Sequence, residues 1–147
     1  MLKETLTIDL VTTNLAGTDK DQVIRSLMDL ICNSGRIKNR ELALDDVLAH
    51  ETGMSTGMEH GIAIPHAKSD AVDELVACVG ISKHRIDFES LDRKPAQIFV
   101  MTLSPRDGTG PHVQFLAEIS RLLKEPKLRK KLLKAKTDEE LLALLTQ

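Results

Sequence analysis

Apolar residues near the start of the chain recur at the three-and-four spacing that places them on one face of an α-helix. Thr18 or Asp19 provides an N-cap side chain ahead of this stripe, and Gly35 is suited to end the helix. The inward-facing positions of this first helix are Val23, Ile24, Leu27, Met28, Leu30 and Ile31. The preceding segment, Leu2–Leu10, alternates only loosely and predicts an edge strand or a short lead-in.

A second amphipathic helix is predicted from Arg40 to about His50, with Asn39 as its N-cap. Its inward-facing positions are Leu42, Leu44, Val47 and Leu48. The polar segment Gly53–Gly57 follows, and it predicts a flexible turn because a glycine stands at each end.

Three short apolar runs in the middle of the chain predict buried strands at Ile62–Ile64, Leu75–Ser82 and Ile98–Leu103. The two longer runs are almost continuously apolar, as expected for strands that are covered on both faces. Pro65 has no N–H for a sheet ladder, so the first strand is expected to end there. The segment Ile86–Lys94 predicts a turn or a short strand between the other two.

The last third of the chain is mainly helical in pattern. The loop from Ser104 to Pro111 contains two prolines and two glycines and is expected to be ordered only at its ends. A helix follows to about Lys124, with the proline at its first position. Its inward-facing positions are Val113, Leu116, Ile119, Leu122 and Leu123. A shorter helix is predicted at Lys127–Lys134, and Thr137 begins a capping box that opens the last helix.

This order of helices, strands and helices predicts an α/β fold, a three-layer α/β/α sandwich around a mixed β-sheet. The chain has 147 residues and shows no low-complexity linker and no internal repeat. Residues 1–147 are therefore expected to form a single domain.

Composition argues against two classes of partner. The chain contains three Phe, no Trp and no Tyr, which leaves almost no side chains for stacking on nucleic-acid bases. Its formal net charge of −2 provides no general attraction to nucleic acid or to an acidic membrane. No apolar run approaches the roughly 18–20 residues that cross a bilayer, so direct membrane insertion is not expected.

The N-terminus and the cysteines favour a cytoplasmic protein. The first residues lack the charged and then apolar layout of a signal peptide. Cys32 and Cys78 are far apart and show no paired spacing. We expect both to be small buried apolar residues in a reducing compartment, with a disulfide as the less favoured alternative.

His66 is the most informative candidate for chemistry. It follows the predicted strand and Pro65, so stiff backbone would hold it at the tip of that strand with its ring free of the core. Histidine is the side chain most often used for nucleophilic and proton chemistry near neutral pH. A loop histidine without a role is the competing interpretation, since one histidine is weak evidence.

His112 falls in the first turn of a predicted helix, directly after the Gly/Pro loop. The partial positive charge of a helix N-terminus disfavours protonation of a nearby imidazole and attracts anions. A neutral ring at this place has an N–H to donate to a phosphate or to a partner histidine.

A metal site is one alternative use of the histidines. His50, His60 and His66 stand ten and six residues apart, with Asp70 and Asp73 nearby. Metal-binding pairs on a helix prefer a spacing of three or four residues, and no such pair occurs. The sequence therefore disfavours a metal site, and no cofactor is called for.

Serine-nucleophile catalysis and nucleotide hydrolysis are two further alternatives. Ser55, Ser69 and Asp70 are candidates for a Ser–His–Asp triad, but no Gly-x-Ser-x-Gly elbow is present. The chain also lacks the Gly-x-x-x-x-Gly-Lys-Ser/Thr loop that binds nucleotide phosphates.

Ser55-Thr56-Gly57, followed by Gly61-Ile62-Ala63-Ile64-Pro65-His66, resembles the enzyme IIA (EIIA) domains of the bacterial sugar phosphotransferase system. The resemblance is to the fructose/mannitol (type 2) branch, which includes nitrogen-regulatory members. It continues at Pro111-His112 and at Thr137-Asp138-Glu139-Glu140-Leu141, and it spans about Thr5 to Leu145.

The resemblance implies a phosphocarrier. His66 would accept a phosphoryl group from the phosphorylated histidine phosphocarrier protein and pass it to an enzyme IIB (EIIB) partner for sugar uptake. His112 would support the phosphoryl group, and Ser55, Thr56 and Gly57 would contribute donors. No metal or organic cofactor is implied. A nitrogen-regulatory module, whose phosphorylation controls binding to a transporter or regulatory target, is the alternative.

Two positions depart from the family pattern. Arg-Glu usually precedes the Ser-Thr-Gly turn, whereas this chain has His50-Glu51. As a third anion contact, His50 would lose its charge above about pH 6.5, the ordinary histidine pKa. Glu59 stands where small or neutral residues are usual. The nearby Met54 and Met58 suit either an apolar docking surface or the core.

Overall fold

The computed structural model describes residues 1–107 and 109–147. The helices are α1 Leu2–Thr5, α2 Lys20–Ile31, α3 Arg40–Gly53, α4 Thr109–Leu123, α5 Pro126–Lys134 and α6 Asp138–Leu145. The strands are β1 Val11–Thr12, β2 Ile62–Ala63, β3 His66–Lys68, β4 Val76–Ile86 and β5 Ala96–Ser104. Among the described residues, no helix has both the length and the apolar character needed to cross a bilayer.

The strands form one mixed sheet in the order β1–β4–β5–β2, and β3 also pairs with β5. The two long strands, β4 and β5, are antiparallel to each other. The short strands are parallel to the long ones that they pair with. The predicted mixed sheet is thus confirmed.

Alternate residues of the long strands face opposite sides of the sheet and pack against different helices. Cys78 and Met101 belong to the cluster that includes the apolar residues of α2 and α3. Val79 and Val100 belong to the second cluster, with the apolar residues of α4, α5 and α6. Both faces are therefore covered, and the predicted three-layer α/β/α sandwich is confirmed.

The prediction that the first strand ends at Pro65 is wrong in one respect. The strand pauses at Ile64 and Pro65 and then resumes with His66 as the first residue of β3. Ile62 pairs with Ile98 before the pause, and His66 pairs with Thr102 after it, so the register is unchanged. Proline removes one ladder donor, but the Pro65 carbonyl still accepts from the Thr102 N–H at 3.1 Å. His66 is thereby held from both sides.

The predicted caps are confirmed, whereas the edge strand predicted at Leu2–Leu10 is wrong. Asp19 accepts a hydrogen bond from the Gln22 N–H, and Asn39 accepts one from the Leu42 N–H. The segment before β1 forms α1 and a single 3₁₀ turn, Ile8–Leu10. Only two residues of β1 then pair with the sheet.

Two inward-facing positions are predicted wrongly, because neither lies on the buried stripe of its helix. Leu42 is 38% exposed and Val113 is 57% exposed. In α4 the fully buried positions are Phe115, Ile119 and Leu123, which recur every four residues. Val113 is offset from this stripe by two residues and so faces away from the core.

The loop before α4 is shorter than predicted, and neither cysteine forms a disulfide. Helix α4 begins at Thr109, ahead of the expected start at Pro111. The predicted disorder in the middle of this loop involves Gly108, which lies outside the described residues. Cys32 and Cys78 are both free thiols; Cys78 is buried and Cys32 is half-buried.

Candidate functional site

Three histidines from three different elements line one cavity of about 430 Å³. His50 comes from the last turn of α3, His66 from the start of β3 and His112 from the first turn of α4. The ring centroids of His50 and His66 are 4.5 Å apart, and those of His66 and His112 are 5.6 Å apart. The fold therefore places His66 and His112 side by side, as predicted, with His50, the candidate third anion contact, on the other side of His66.

A backbone carbonyl two residues before His66 holds its ring in one tautomer. Its Nδ1 lies 2.7 Å from the carbonyl oxygen of Ile64. A carbonyl oxygen only accepts, so Nδ1 carries the proton and Nε2 of the neutral ring keeps a free lone pair. The arrangement orients the ring and leaves Nε2 as the nucleophilic atom.

The two flanking histidines favour their neutral forms. Burial is the main cause that lowers the pKa of His50, and the neighbouring His66 adds to it. Burial is also the main cause that lowers the pKa of His112. Electrostatic repulsion from His66 in its protonated form, and then from Lys68, lowers it further. Within the described residues, neither the His50 Nδ1 nor the His112 Nδ1 has a hydrogen-bond partner. Unpartnered buried nitrogens are uncommon in native proteins, and here they belong to the two rings that flank His66.

We expect these lowered pKa values to make the protein less stable in mild acid. Between the native and unfolded pKa values the unfolded chain binds more protons, so stability is full above about pH 6.5 and falls as the pH decreases below it. The wild type and the variant H50Q/H112Q should be unfolded in urea across this range. The wild type should lose more stability on acidification than the variant, because the variant lacks both histidines. If the free energy of unfolding fell equally in both proteins as the pH decreased, the lowered pKa values would not belong to His50 and His112.

Charged side chains complete the cavity, and sequence reasoning missed them. Lys68, Arg106 and Asp46 all line it. The Arg106 Nε donates to Asp70 at 3.2 Å, and its Nη2 lies 4.0 Å from an Asp46 oxygen. Lys68 was detectable, because residues two apart on a strand share a face with His66. Arg106 gave no comparable signal, since it lies in an irregular loop far away in sequence.

The Ser-Thr-Gly segment does not line the cavity. The Ser55 hydroxyl donates to the Phe88 carbonyl at 2.9 Å. The Thr56 N–H and hydroxyl both donate to the Glu51 carboxylate, at 2.8 and 2.6 Å. A Cβ added at Gly57 would lie 2.7 Å from the Phe88 carbonyl oxygen, so the close approach requires glycine. The structure favours a positioning role over the direct phosphate contact expected from sequence.

A buried charge fixes this segment to the end of α3. The Glu51 side chain is only 5% exposed, and the Lys20 ammonium lies 2.8 Å from its carboxylate. The Thr56 carbonyl accepts from the Ile64 N–H at 3.0 Å. Glu51 therefore joins the helix end that carries His50 to the strand segment that precedes His66.

His60 lies apart from His50 and His66, and one of the two candidate serines is buried. His60 has a left-handed backbone, its N–H bonds to Asp92, and it lines a different groove from His50 and His66. Among the described residues, no three His, Cys, Asp or Glu side chains are placed to hold a metal ion. Ser69 is completely buried and accepts from the Ala71 N–H, so it is not available as a nucleophile.

Large apolar side chains are exposed in segments next to the histidines. Met54 and Met58 are 69% and 41% exposed, which excludes the core interpretation for both. Leu91 and Val113 are also exposed, and Val113 directly follows His112. Exposed apolar side chains such as these are candidates for a surface that contacts another protein.

Sequence comparison identifies relatives along almost the whole chain. The family model described as "Phosphoenolpyruvate-dependent sugar phosphotransferase system, EIIA 2" matches residues 4–147. A "PTS system fructose-specific EIIA component" from Haloferax volcanii is 37% identical over 132 residues, 90% of this chain and 86% of that protein. A "Nitrogen regulatory protein" from Pseudomonas aeruginosa is 27% identical over 140 residues, 95% of this chain and 91% of that protein.

Solved structures share the fold. The nitrogen regulatory protein IIA-Ntr from Neisseria meningitidis superposes with a TM-score of 0.85 and 23% identity, covering 97% of both chains. The mannitol IIA enzyme of Escherichia coli, solved in complex with phosphorylated mannitol IIB, gives a TM-score of 0.81 and 17% identity. That match covers 95% of this chain and 96% of the other.

Proposed function

The chain belongs to the EIIA type 2 family of the phosphoenolpyruvate-dependent sugar phosphotransferase system, and on this premise we propose that it is a cytoplasmic phosphocarrier. His66 accepts a phosphoryl group from the phosphorylated histidine phosphocarrier protein and passes it to an EIIB partner. The observation that carries this proposal is the free Nε2 lone pair of His66, in a ring that lies between two other imidazoles.

The transfer needs no chemistry beyond these residues. The Nε2 lone pair attacks the phosphorus while the donor's N–P bond breaks, and the donor imidazole leaves with that electron pair. The His66 ring then carries a positive charge, which the Ile64 carbonyl stabilises by accepting the Nδ1–H. The resulting phosphoramidate is reactive enough to transfer the group to the next protein.

His112 and His50 support the phosphoryl group. A dianion beside two neutral imidazoles favours their protonated forms and raises the pKa of each ring. His112 also lies in the first turn of α4, where the helix dipole favours an anion. Ser55, Thr56 and Gly57 act indirectly, by holding the segments on either side of the nucleophile.

The candidates for the partner surface are the exposed apolar residues Met54, Met58, Leu91 and Val113. Carrier complexes must form and dissociate quickly, and small adaptable apolar contacts suit such transient association. An EIIB partner is supported by the solved neighbour in which a mannitol IIA enzyme is bound to its phosphorylated IIB.

A regulatory module is the second candidate. The nitrogen regulatory relative, 27% identical over 95% of this chain, favours it. In this case the phosphoryl charge on His66 changes the docking surface for a transporter or regulatory target, with no onward transfer to sugar.

Transfer from donor to acceptor separates these candidates. The chain should gain one acid-labile phosphoryl group when incubated with phosphoenolpyruvate, enzyme I and the histidine phosphocarrier protein, as measured by intact mass. A reaction without the phosphocarrier protein is the control and should leave the mass unchanged. Addition of a fructose-type EIIB should then remove the group. An unmodified chain would contradict the phosphocarrier proposal, whereas a group that persists with EIIB present would favour the regulatory module.

A further inference from the structure

The cavity around His66 needs positive charge that its histidines do not permanently supply. Burial lowers the pKa of His50 and His112, so both rings are mainly neutral before the phosphoryl group arrives. The carboxylate of Asp46 lines the same cavity and opposes an incoming anion. Of the seven described residues that line this cavity, only Lys68 and Arg106 are cations at all ordinary pH values.

The main chain of Arg106 is linked to β3, the strand that begins with His66. It follows the end of β5, and the last residue of that strand, Ser104, is the register partner of Lys68 on β3. The Lys68 ammonium donates to the Arg106 carbonyl at 3.4 Å. The start of the loop is thus fixed against the strand that begins with His66.

The ion pairs that the Arg106 guanidinium forms with Asp70 and Asp46 are weak enough to be replaced by contacts with a phosphoryl group. Its ion pair with Asp70 lies at the surface, with side-chain exposures of 60% and 72%. The approach to Asp46, at 4.0 Å, is at the outer limit of an ion pair. Exposed pairs of this kind contribute little free energy. A phosphoryl dianion offers more charge and two oxygens for the planar fork of an arginine.

We propose that Arg106 is the phosphoryl-binding arginine of this chain: its guanidinium leaves Asp70 and Asp46 and binds the phosphoryl oxygens on Nε2 of His66. This inference rests on the phosphocarrier function proposed above. Arg106 then provides a charge that does not depend on pH, and the histidines provide additional donors. Asp70 and Asp46 hold the guanidinium near the site when His66 is unmodified.

The test compares R106Q and R106K with the wild type and with R36Q. Arg36 is a matched control, because it forms a similar exposed pair with Glu74 and does not line this cavity. Each protein is equilibrated with the phosphorylated phosphocarrier protein, and intact mass gives the ratio of phosphorylated to unmodified chain. We expect R106Q to lower this ratio about 10- to 100-fold, as for loss of hydrogen bonds to a charged group, with R106K intermediate and R36Q unchanged.

The pH profile distinguishes phosphoryl binding from a merely structural role. In R106Q, of the described residues that line the cavity, only the histidines and Lys68 remain to balance the dianion, so the deficit relative to wild type should be greater in mild alkali, where the rings are neutral, than in mild acid, where they are protonated. A deficit of constant size across this range, or labelling of R106Q to the wild-type ratio, would overturn the proposal.

Binding of inorganic phosphate provides a second measurement that needs neither enzyme I nor the histidine phosphocarrier protein. Phosphate is titrated into the unmodified wild type and R106Q, and the ring signals of His66 are followed by NMR. We expect about tenfold weaker binding in R106Q. If enzyme I and the phosphocarrier protein left the wild type unlabelled, the phosphocarrier function would be refuted. Phosphate binding would then still test whether Arg106 binds a phosphate group. Equal phosphate affinity of the two proteins would overturn its assignment.

Discussion

Replacement of His66 by glutamine should abolish phosphorylation by enzyme I and the histidine phosphocarrier protein. A glutamine amide has no nucleophilic nitrogen, so it cannot form the phosphoramidate. His66 occupies an ordered strand position, and glutamine fits its half-buried place without loss of the sheet hydrogen bonds. Intact mass after exhaustive incubation measures the result.

The control for this substitution is H84Q, since His84 is exposed on β4 and does not line the cavity. It should be labelled like the wild type. H112Q should be labelled more slowly with its fold intact, because it retains the nucleophile and loses one supporting ring. Wild-type labelling of H66Q would place the nucleophile on another residue and refute the mechanism.

Replacement of Glu51 by alanine should cause a large loss of stability, about 3 kcal/mol in the free energy of unfolding. The variant leaves the Lys20 ammonium and two Thr56 donors without their buried acceptor. Glutamine at this position keeps one acceptor oxygen, so E51Q should lose less. Urea unfolding with linear extrapolation provides the values.

E74A is the matched control, because Glu74 pairs with Arg36 at the surface and its side chain is 65% exposed. That variant should change the free energy of unfolding by less than about 1 kcal/mol. If E51A proved as stable as E74A, Glu51 would not be the residue that fixes the Ser-Thr-Gly segment.

Local rules predicted those parts of the fold in which local interactions decide the structure. The caps Asp19 and Asn39 and the buried runs around Val79 and Val100 were all identified, because each depends on near neighbours or on a long apolar segment. Of the two alternatives for Leu2–Leu10, an edge strand or a short lead-in, the edge strand is wrong, since the segment forms a helix and a turn, and Leu6 packs in the cluster of α4, α5 and α6.

The strand at Pro65 shows the limit of single-residue rules. Proline removes one donor, yet β5 continues past it and supplies partners in unchanged register on the far side. A rule based only on the proline does not take into account that β5 continues beside it. The practical consequence is that His66 belongs to the sheet and is more firmly held than a residue at a free strand tip.

The candidate site, like the fold, could be predicted from the sequence only in part. The proximity of His66 and His112 is confirmed, since both lie at element ends that the α/β topology brings together. The roles of Ser55 and Thr56 were not predictable, because their donors are taken by groups that only the folded chain places nearby. Arg106 was missed because it lies in an irregular loop, which only the folded chain brings to the cavity.

The most direct test of the phosphocarrier account is to identify the nitrogen that carries the phosphoryl group. The chain, with ¹⁵N-labelled histidines, would be phosphorylated by the relay and studied by NMR for coupling between phosphorus and ring nitrogens. Coupling to Nε2 of His66, with its Nδ1 still protonated and bonded to the Ile64 carbonyl, is the predicted result. Phosphorus on Nδ1 of His66, or on any other histidine, would contradict it.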